Sequence, residues 1–212
     1  MPCTLDEKHP HLIDTVALPR TEARFKQAEA VAERLVNFGY HPIGLDHFAL
    51  TGDSLGGVSS NGRLRQNFQG HTTDPADALL RFGVSSIGKL PQGFVQNRTD
   101  IRNWRQDIKA GILPVSHGKR LQIYDLMRSD LIEELMCRFE VDIEEISNRH
   151  NINPSRLQDS VEALYPLRYD GLVPIDGGRI KPSPDRRAFV RLVATAFDAY
   201  LPSSEGRHSA AV

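Results

Sequence analysis

Apolar residues at helical spacing are the first signal in this chain. Phe25, Ala28, Val31, Leu35 and Val36 recur on one face of a segment whose other face carries Glu22, Lys26, Glu29 and Glu33. Thr21 stands where an N-cap belongs and Gly39 where a helix stops, so a core-facing amphipathic helix is predicted between them. Residues 40–49 (YHPIGLDHFA) form a short apolar run that ends in polar groups, the pattern of a buried strand in an α/β fold. Residues 50–62, rich in Gly and Ser, read as a mobile loop. Residues 79–90 (LLRFGVSSIGKL) read as another strand, interrupted by glycine where a ligand or a backbone comes close. A short helix around Trp104 and a connection follow.

From Lys119 the pattern changes. Leu121, Tyr124, Met127, Leu131, Ile132 and Leu135 mark a long amphipathic helix, and residues 141–146 a short second one. A third opens at Asn153-Pro154 and carries Leu157, Val161, Leu164 and Tyr165. Residues 172–180 read as a hairpin turning at Gly177-Gly178, and Ser183 as the cap of a last helix over 185–201. Three helices, a hairpin and a closing helix suggest a winged-helix-like module. The expected division is 1–118, 119–201 and a disordered tail over 202–212.

Composition narrows the function classes. With 212 residues, 40% hydrophobic, 25% charged and a formal net charge of −1, the chain is long enough for a sizeable core and has no basic excess for nucleic acid or an anionic membrane. The candidate recognition helices carry Glu144, Glu145, Asp159 and Glu162, which repel phosphates, so no nucleic-acid partner is expected. No apolar run approaches the roughly 20 residues that cross a bilayer, and the polar start MPCTLDEKHPHLID holds no signal-peptide core. A cytoplasmic protein without a membrane partner is expected. The two cysteines, Cys3 and Cys137, are too few for a disulfide framework or for a site built from thiolates alone, so no metal ligands are assigned. Cys3 reads as a bystander and Cys137 as a small core residue.

Several segments together carry a resemblance. GLDHFA at 44–49, NFQGHTTD at 67–74, GVSSIG at 83–88, Gln96-Asn97, MRSDLIEELMC at 127–137 and FDAYL at 197–201 occur in the order and spacing of one family. The chain resembles the C-terminal half of the oxygen-independent coproporphyrinogen III oxidases, which are radical S-adenosylmethionine enzymes. The resemblance implies an α/β fold: part of a (β/α) radical-SAM barrel followed by a mainly helical winged-helix-like domain. It also implies a reaction, the oxidative decarboxylation of two propionates of coproporphyrinogen III to give protoporphyrinogen IX in heme biosynthesis. The family's cofactors are S-adenosylmethionine and a [4Fe–4S] cluster on a CxxxCxxC motif. That motif is absent from these residues. No cofactor is therefore expected on this chain alone, no catalytic residue is assigned, and activity is expected only with an N-terminal cluster-bearing polypeptide. The alternative is a tetrapyrrole- or heme-binding module, or a split-enzyme subunit without catalysis.

Individual residues follow from the same resemblance. Ile87 and Gln69 fall at cofactor-binding positions. Asp46 and His47 fall beside the substrate, although neighbours on a strand point to opposite faces and are not expected to pair with each other. Arg63 and Arg65 lie two apart, so on an extended segment they face one way, and their guanidinium forks suit propionates. The sequence departs from the family's pattern at His71, where tyrosine is usual, and after Ala49, where residues 50–53 (LTGD) lack the usual basic residue and proline.

Overall fold

The computed structural model describes residues 18–60, 62–67 and 70–201. Cys3, Gln69 and the tail over 202–212 lie outside the described residues.

Helix α1 spans Thr21–Asn37. Arg20, not Thr21, takes the N-cap position, and Gly39 follows the helix at φ +85°. None of its residues is buried. The expected core-facing stripe is present in the sequence but packs against no core: Val31 is 57% and Val36 50% exposed.

The run over 40–49 is not one strand. It folds back as a hairpin of β1 (Tyr40–Pro42) and β2 (Phe48–Leu50), with His41 opposite Ala49. The five residues between them close as a bend in which Ile43 N donates to His47 O at 3.0 Å. The segment read as a mobile loop contains a short helix, α2, Ser54–Ser60. The Asp53 carboxylate accepts from Leu55 N at its start. A second hairpin pairs β3 (Arg65–Asn67) with β4 (Gly70–Thr72).

Residues 79–90 contain a strand only at their end, β5, Ile87–Leu90. It turns into β6 (Gly93–Asn97), and β7 (Val115–Arg120) completes a three-stranded antiparallel meander. The chain between β6 and β7 holds α3, Ile101–Lys109, the expected helix around Trp104, capped by Asp100 accepting from Asn103 N. The glycines here serve backbone approach. A Cβ on Gly88 would lie 2.7 Å from Leu79 O, and one on Gly93, at φ +150°, 2.0 Å from Lys119 O. Strand β7 escapes sequence reading because its sequence VSHGKR is exposed throughout and shows no alternation.

Helix α4 (Ile123–Arg138) is the spine of the second half. Asp125 accepts from Gln122 N at its start, and Phe139 ends it in the left-handed conformation at φ +59°. Met127, Leu131 and Leu135 are fully buried one turn apart. The expected second helix is divided: Val141–Asp142 form β8, and α5 runs Ile143–Arg149 under an Asp142 cap that accepts from Glu144 N and Glu145 N. The third is broken into a 3-10 turn (Pro154–Leu157), α6 (Gln158–Glu162) and α7 (Tyr165–Tyr169). The Gly177-Gly178 hairpin joins β9 (Ile175–Asp176) to β10 (Arg179–Ile180), and β10 also pairs with β8. The last helix is shorter than expected, a 3-10 turn at Pro184–Phe189 followed by α8, Val190–Thr195. Ser183 occupies its cap position without a side-chain bond.

The fold is thus mixed helix and sheet, as expected. Every strand pair among the described residues is antiparallel, and no parallel barrel ladder forms among them. Short connections such as the bend over 43–47 permit only hairpins, since parallel neighbours need a long crossover. The hydrophobic core lies in the second half, where α4, α5, β8, β10 and α8 converge on Leu131, Ile146, Val190 and Phe197. Proline aside, the buried apolar side chains described before residue 121 are Ile43, Ala49 and Leu64.

Candidate functional site

The two hairpins meet α4 and α8 in a polar cluster. Asp46 and His47 sit in the bend between β1 and β2, where strand alternation does not apply, and they do pair: His47 Nδ1 lies 2.8 Å from Asp46 Oδ1. The other carboxylate oxygen of Asp46 accepts from Arg191 Nη2 of α8 at 3.0 Å. Partial burial acts to raise the Asp46 carboxyl, but Arg191 and His47 outweigh it and hold it below its ordinary 3.8.

His71, on β4, meets the edge of His47 with ring centroids 4.7 Å apart and planes at 77°. Each ring rests against a glycine of the opposite hairpin: His71 against Gly44, and His47 against Gly70. The Nδ1 of His71 lies 3.8 Å from Cys137 Sγ on α4. Burial, and then the neighbouring His47, hold His71 below its ordinary 6.5. Burial, reinforced by Glu133, pushes the Cys137 thiol up to about 12. Cys137 is therefore a buried thiol, as expected of a small core residue.

Strand β3 begins only at Arg65; Arg63 precedes it and is exposed, Leu64 between them is buried, and Arg65 is half-buried. Arg65 Nε donates to Glu133 Oε1 at 2.6 Å, and the same oxygen accepts from Gln66 N at 3.2 Å. This bond to Glu133 raises the Arg65 guanidinium above its ordinary value. Beside it lies a small charged cavity of about 150 Å³, lined in part by Arg65, Asp130, Glu133, Cys137 and Arg149. Ile87 lines a different cleft, open and about 230 Å³, with Phe94, Gln96, His117 and Lys119.

Three residues that hold this arrangement escape sequence reading. Glu133 and Arg191 reach partners 68 and 145 positions away, and nothing local signals such pairs. Asn97 is buried: its amide donates to Gly83 O at 2.8 Å and to Ser86 Oγ at 3.2 Å, while its oxygen accepts from Arg81 Nε at 2.8 Å. It shapes the turn that leads into Ile87. Its position at the end of an apolar strand run was the available clue.

The described residues contain no group of three or more His, Cys, Asp or Glu side chains able to hold a metal ion. No described helix is long and apolar enough to cross a membrane.

No family model matches the chain. Among characterised proteins, it is 45% identical over 206 residues to the oxygen-independent coproporphyrinogen III oxidase of Bradyrhizobium diazoefficiens, an alignment covering 97% of this chain and 46% of the relative. It is 35% identical over 197 residues to the enzyme of the same name from Thermostichus vulcanus, covering 92% of this chain and 61% of the relative. The structure superposes on coproporphyrinogen III oxidase from Escherichia coli, a radical SAM enzyme, with a TM-score of 0.80 and 30% identity, over 89% of this chain and 44% of that one. The chain spans about half the length of the relatives it matches.

Proposed function

We propose, because this chain belongs to the oxygen-independent coproporphyrinogen III oxidase family, that it supplies the tetrapyrrole-facing part of an enzyme that converts two propionates of coproporphyrinogen III to vinyl groups. The observation that carries this reading is likeness along nearly the whole chain, 97% of it at 45% identity, joined to a common fold at a TM-score of 0.80. Residues 1–118 are read as the barrel-side part of the family fold, although their described strands pair only as antiparallel hairpins, and residues 119–201 as a winged-helix-like module that braces it through Glu133, Cys137 and Arg191.

The family's iron–sulfur cluster does not fit these residues. The sequence has two cysteines and no CxxxCxxC motif. One of them, Cys137, has its thiol pushed up to about 12 and is committed to packing against His71. In the proposed function the cluster and its radical chemistry come from a separate cluster-bearing polypeptide or segment, and the 212 residues alone bind without turnover.

Binding then falls to the side chains already located. Arg63 is exposed and open to a propionate, and Arg65 offers the guanidinium edge that Glu133 leaves uncovered. Asp46 fixes His47 so that its second ring nitrogen is aimed by a bonded carboxylate, which suits a hydrogen bond to the macrocycle's polar rim. Ile87 lines a cleft with Phe94, Gln96, His117 and Lys119 that is the place proposed for S-adenosylmethionine; the cofactor role of Gln69, which lies outside the described residues, rests on the resemblance alone.

Titration of the purified chain with coproporphyrin III, read by its Soret band, tests the reading. Saturable binding that weakens on Arg63→Ala and His47→Ala is expected. An unchanged spectrum through the titration overturns it.

A further inference from the structure

The two halves of the molecule differ in one physical respect. The second closes its own core around α4, whereas the first leaves about half of its described large apolar side chains in solvent, Phe38 at 66% and Phe82 at 85% among them. The clearest case is α1. Its apolar positions are those of a helix that covers a core, yet it packs chiefly on the short strand β1 and has no buried residue. At its N-terminal end the stripe runs into an apolar groove of about 540 Å³ between Phe25 of α1 and Ala188, Phe189 and Leu192 beside α8.

We infer that the stripe Phe25–Val31–Val36–Phe38, with the groove between α1 and α8, is a docking face for the portion of the family fold that this chain does not span. Length argues for that occupant. The chain covers 46% of the Bradyrhizobium relative and 44% of the Escherichia coli enzyme, so more than half of each has no counterpart in these residues. Chemistry agrees, because the face presents aliphatic and aromatic surface, while Glu22, Lys26, Glu29 and Glu33 lie away from its centre and Arg24 is the charged side chain among its apolar positions. The inference rests on the family reading above and adds to it the place where the two parts join.

The test is to co-express the chain with the segment of the Bradyrhizobium relative that it does not match, and to weigh the purified complex by light scattering. A one-to-one complex is expected. Val31→Asp with Val36→Asp should cut recovery of the partner about tenfold or more, since a carboxylate is then buried without a counter-charge. Ala30→Asp, on the opposite side of α1, should leave recovery unchanged. A chimera in which this chain replaces the matched segment of the relative removes any dependence on the partner folding separately. A thiol placed by Val31→Cys should label fast in the chain alone and at least about tenfold more slowly in the chimera. Equal labelling rates, or a complex indifferent to the double substitution, overturn the inference. So does a dimer of the chain alone that the double substitution dissolves, because the face is then self-complementary. A complex that forms but takes up no coproporphyrin supports the face and removes the proposed function. Coproporphyrin uptake with equal labelling removes the face and leaves the function.

Discussion

Gly44 and His71 fit together as bump and hollow. A Cβ on Gly44 would lie 2.0 Å from His71 Nε2 and 2.5 Å from its Cδ2, so the imidazole occupies the space a side chain would need. The contact locks the β1–β2 bend onto the β3–β4 hairpin, and through Cys137 onto α4.

Gly44→Ala should therefore force the His71 ring to rotate away from both His47 and Cys137. A loss of about 1–3 kcal/mol is expected, the usual cost of overpacking. Denaturant unfolding measures it. The second substitution His71→Ala should recover part of the loss, because it empties the space the methyl requires. A double variant no better than Gly44→Ala would show that the strain lies in the backbone.

That contact marks where reading from sequence ends. Helix α4 and the Gly177-Gly178 hairpin are legible because local patterning and burial agree: Leu131 and Leu135 repeat at one-turn spacing and are buried. The stripe on α1 is equally legible as a pattern, yet the structure leaves it bare, since periodicity reports what a helix can cover and not whether a cover is present. The hairpin at 40–50 was hidden because five residues with no strong turn signature reverse the chain. At the site, adjacency misled: Asp46 and His47 pair because they occupy a bend, where strand alternation does not apply.

Protonation of His71 should weaken the fold in mild acid. Its folded-state value lies below the ordinary 6.5, so the unfolded chain binds the proton more readily. Stability is then complete above pH 6.5 and declines as pH falls from there toward the folded value. The charged groups facing the ring are His47 and Asp46 from the bend; the Cys137 thiol lies beside it on α4. Asp46 acts in a separate, lower window: its carboxylate stabilises above 3.8 and that contribution disappears as pH falls through its depressed value. Urea midpoints between pH 7.5 and 5 should drop for the natural sequence and stay flatter for His71→Asn. Parallel slopes would assign the acid sensitivity elsewhere.

The Arg65–Glu133 pair should couple weakly despite its 2.6 Å bond. The arginine side chain is 39% exposed and the glutamate 15%, so solvent screens much of the attraction. A double-mutant cycle with Arg65→Ala and Glu133→Ala should give about 1 kcal/mol. Glu133→Ala alone should cost more than Arg65→Ala, because Gln66 N loses its acceptor as well. Equal single losses would mean that the carboxylate serves the arginine alone.

Asn97→Leu should loosen the turn before Ile87 while leaving the second-half core untouched. Leucine fills the volume but leaves Gly83 O without its donor and Arg81 Nε without its acceptor in a part-buried setting. A loss of about 1–3 kcal/mol is expected for the unmet groups. Gly93→Ala, in the same meander, should cost at least as much, because its Cβ would meet the Lys119 backbone oxygen at 2.0 Å and neither strand can yield without unpairing. Hydrogen exchange separates the two: Asn97→Leu should raise exchange mainly over residues 81–90, and Gly93→Ala along β6 and β7.

Cys137 should resist alkylation in the folded protein. A thiol pushed up to about 12 is almost wholly protonated at pH 8, and thiolate is the reacting form. With Cys3→Ser in the background, iodoacetamide at pH 8 should modify Cys137 at least about a hundredfold more slowly in native buffer than in denaturant. Two cysteines are too few for a cluster held by the thiolates of this chain, so anaerobic reconstitution of the chain with iron and sulfide should yield no cluster absorbance. Rapid native labelling together with a reconstituted cluster would show that α4 opens to release the thiol, and would return metal chemistry to this half of the fold.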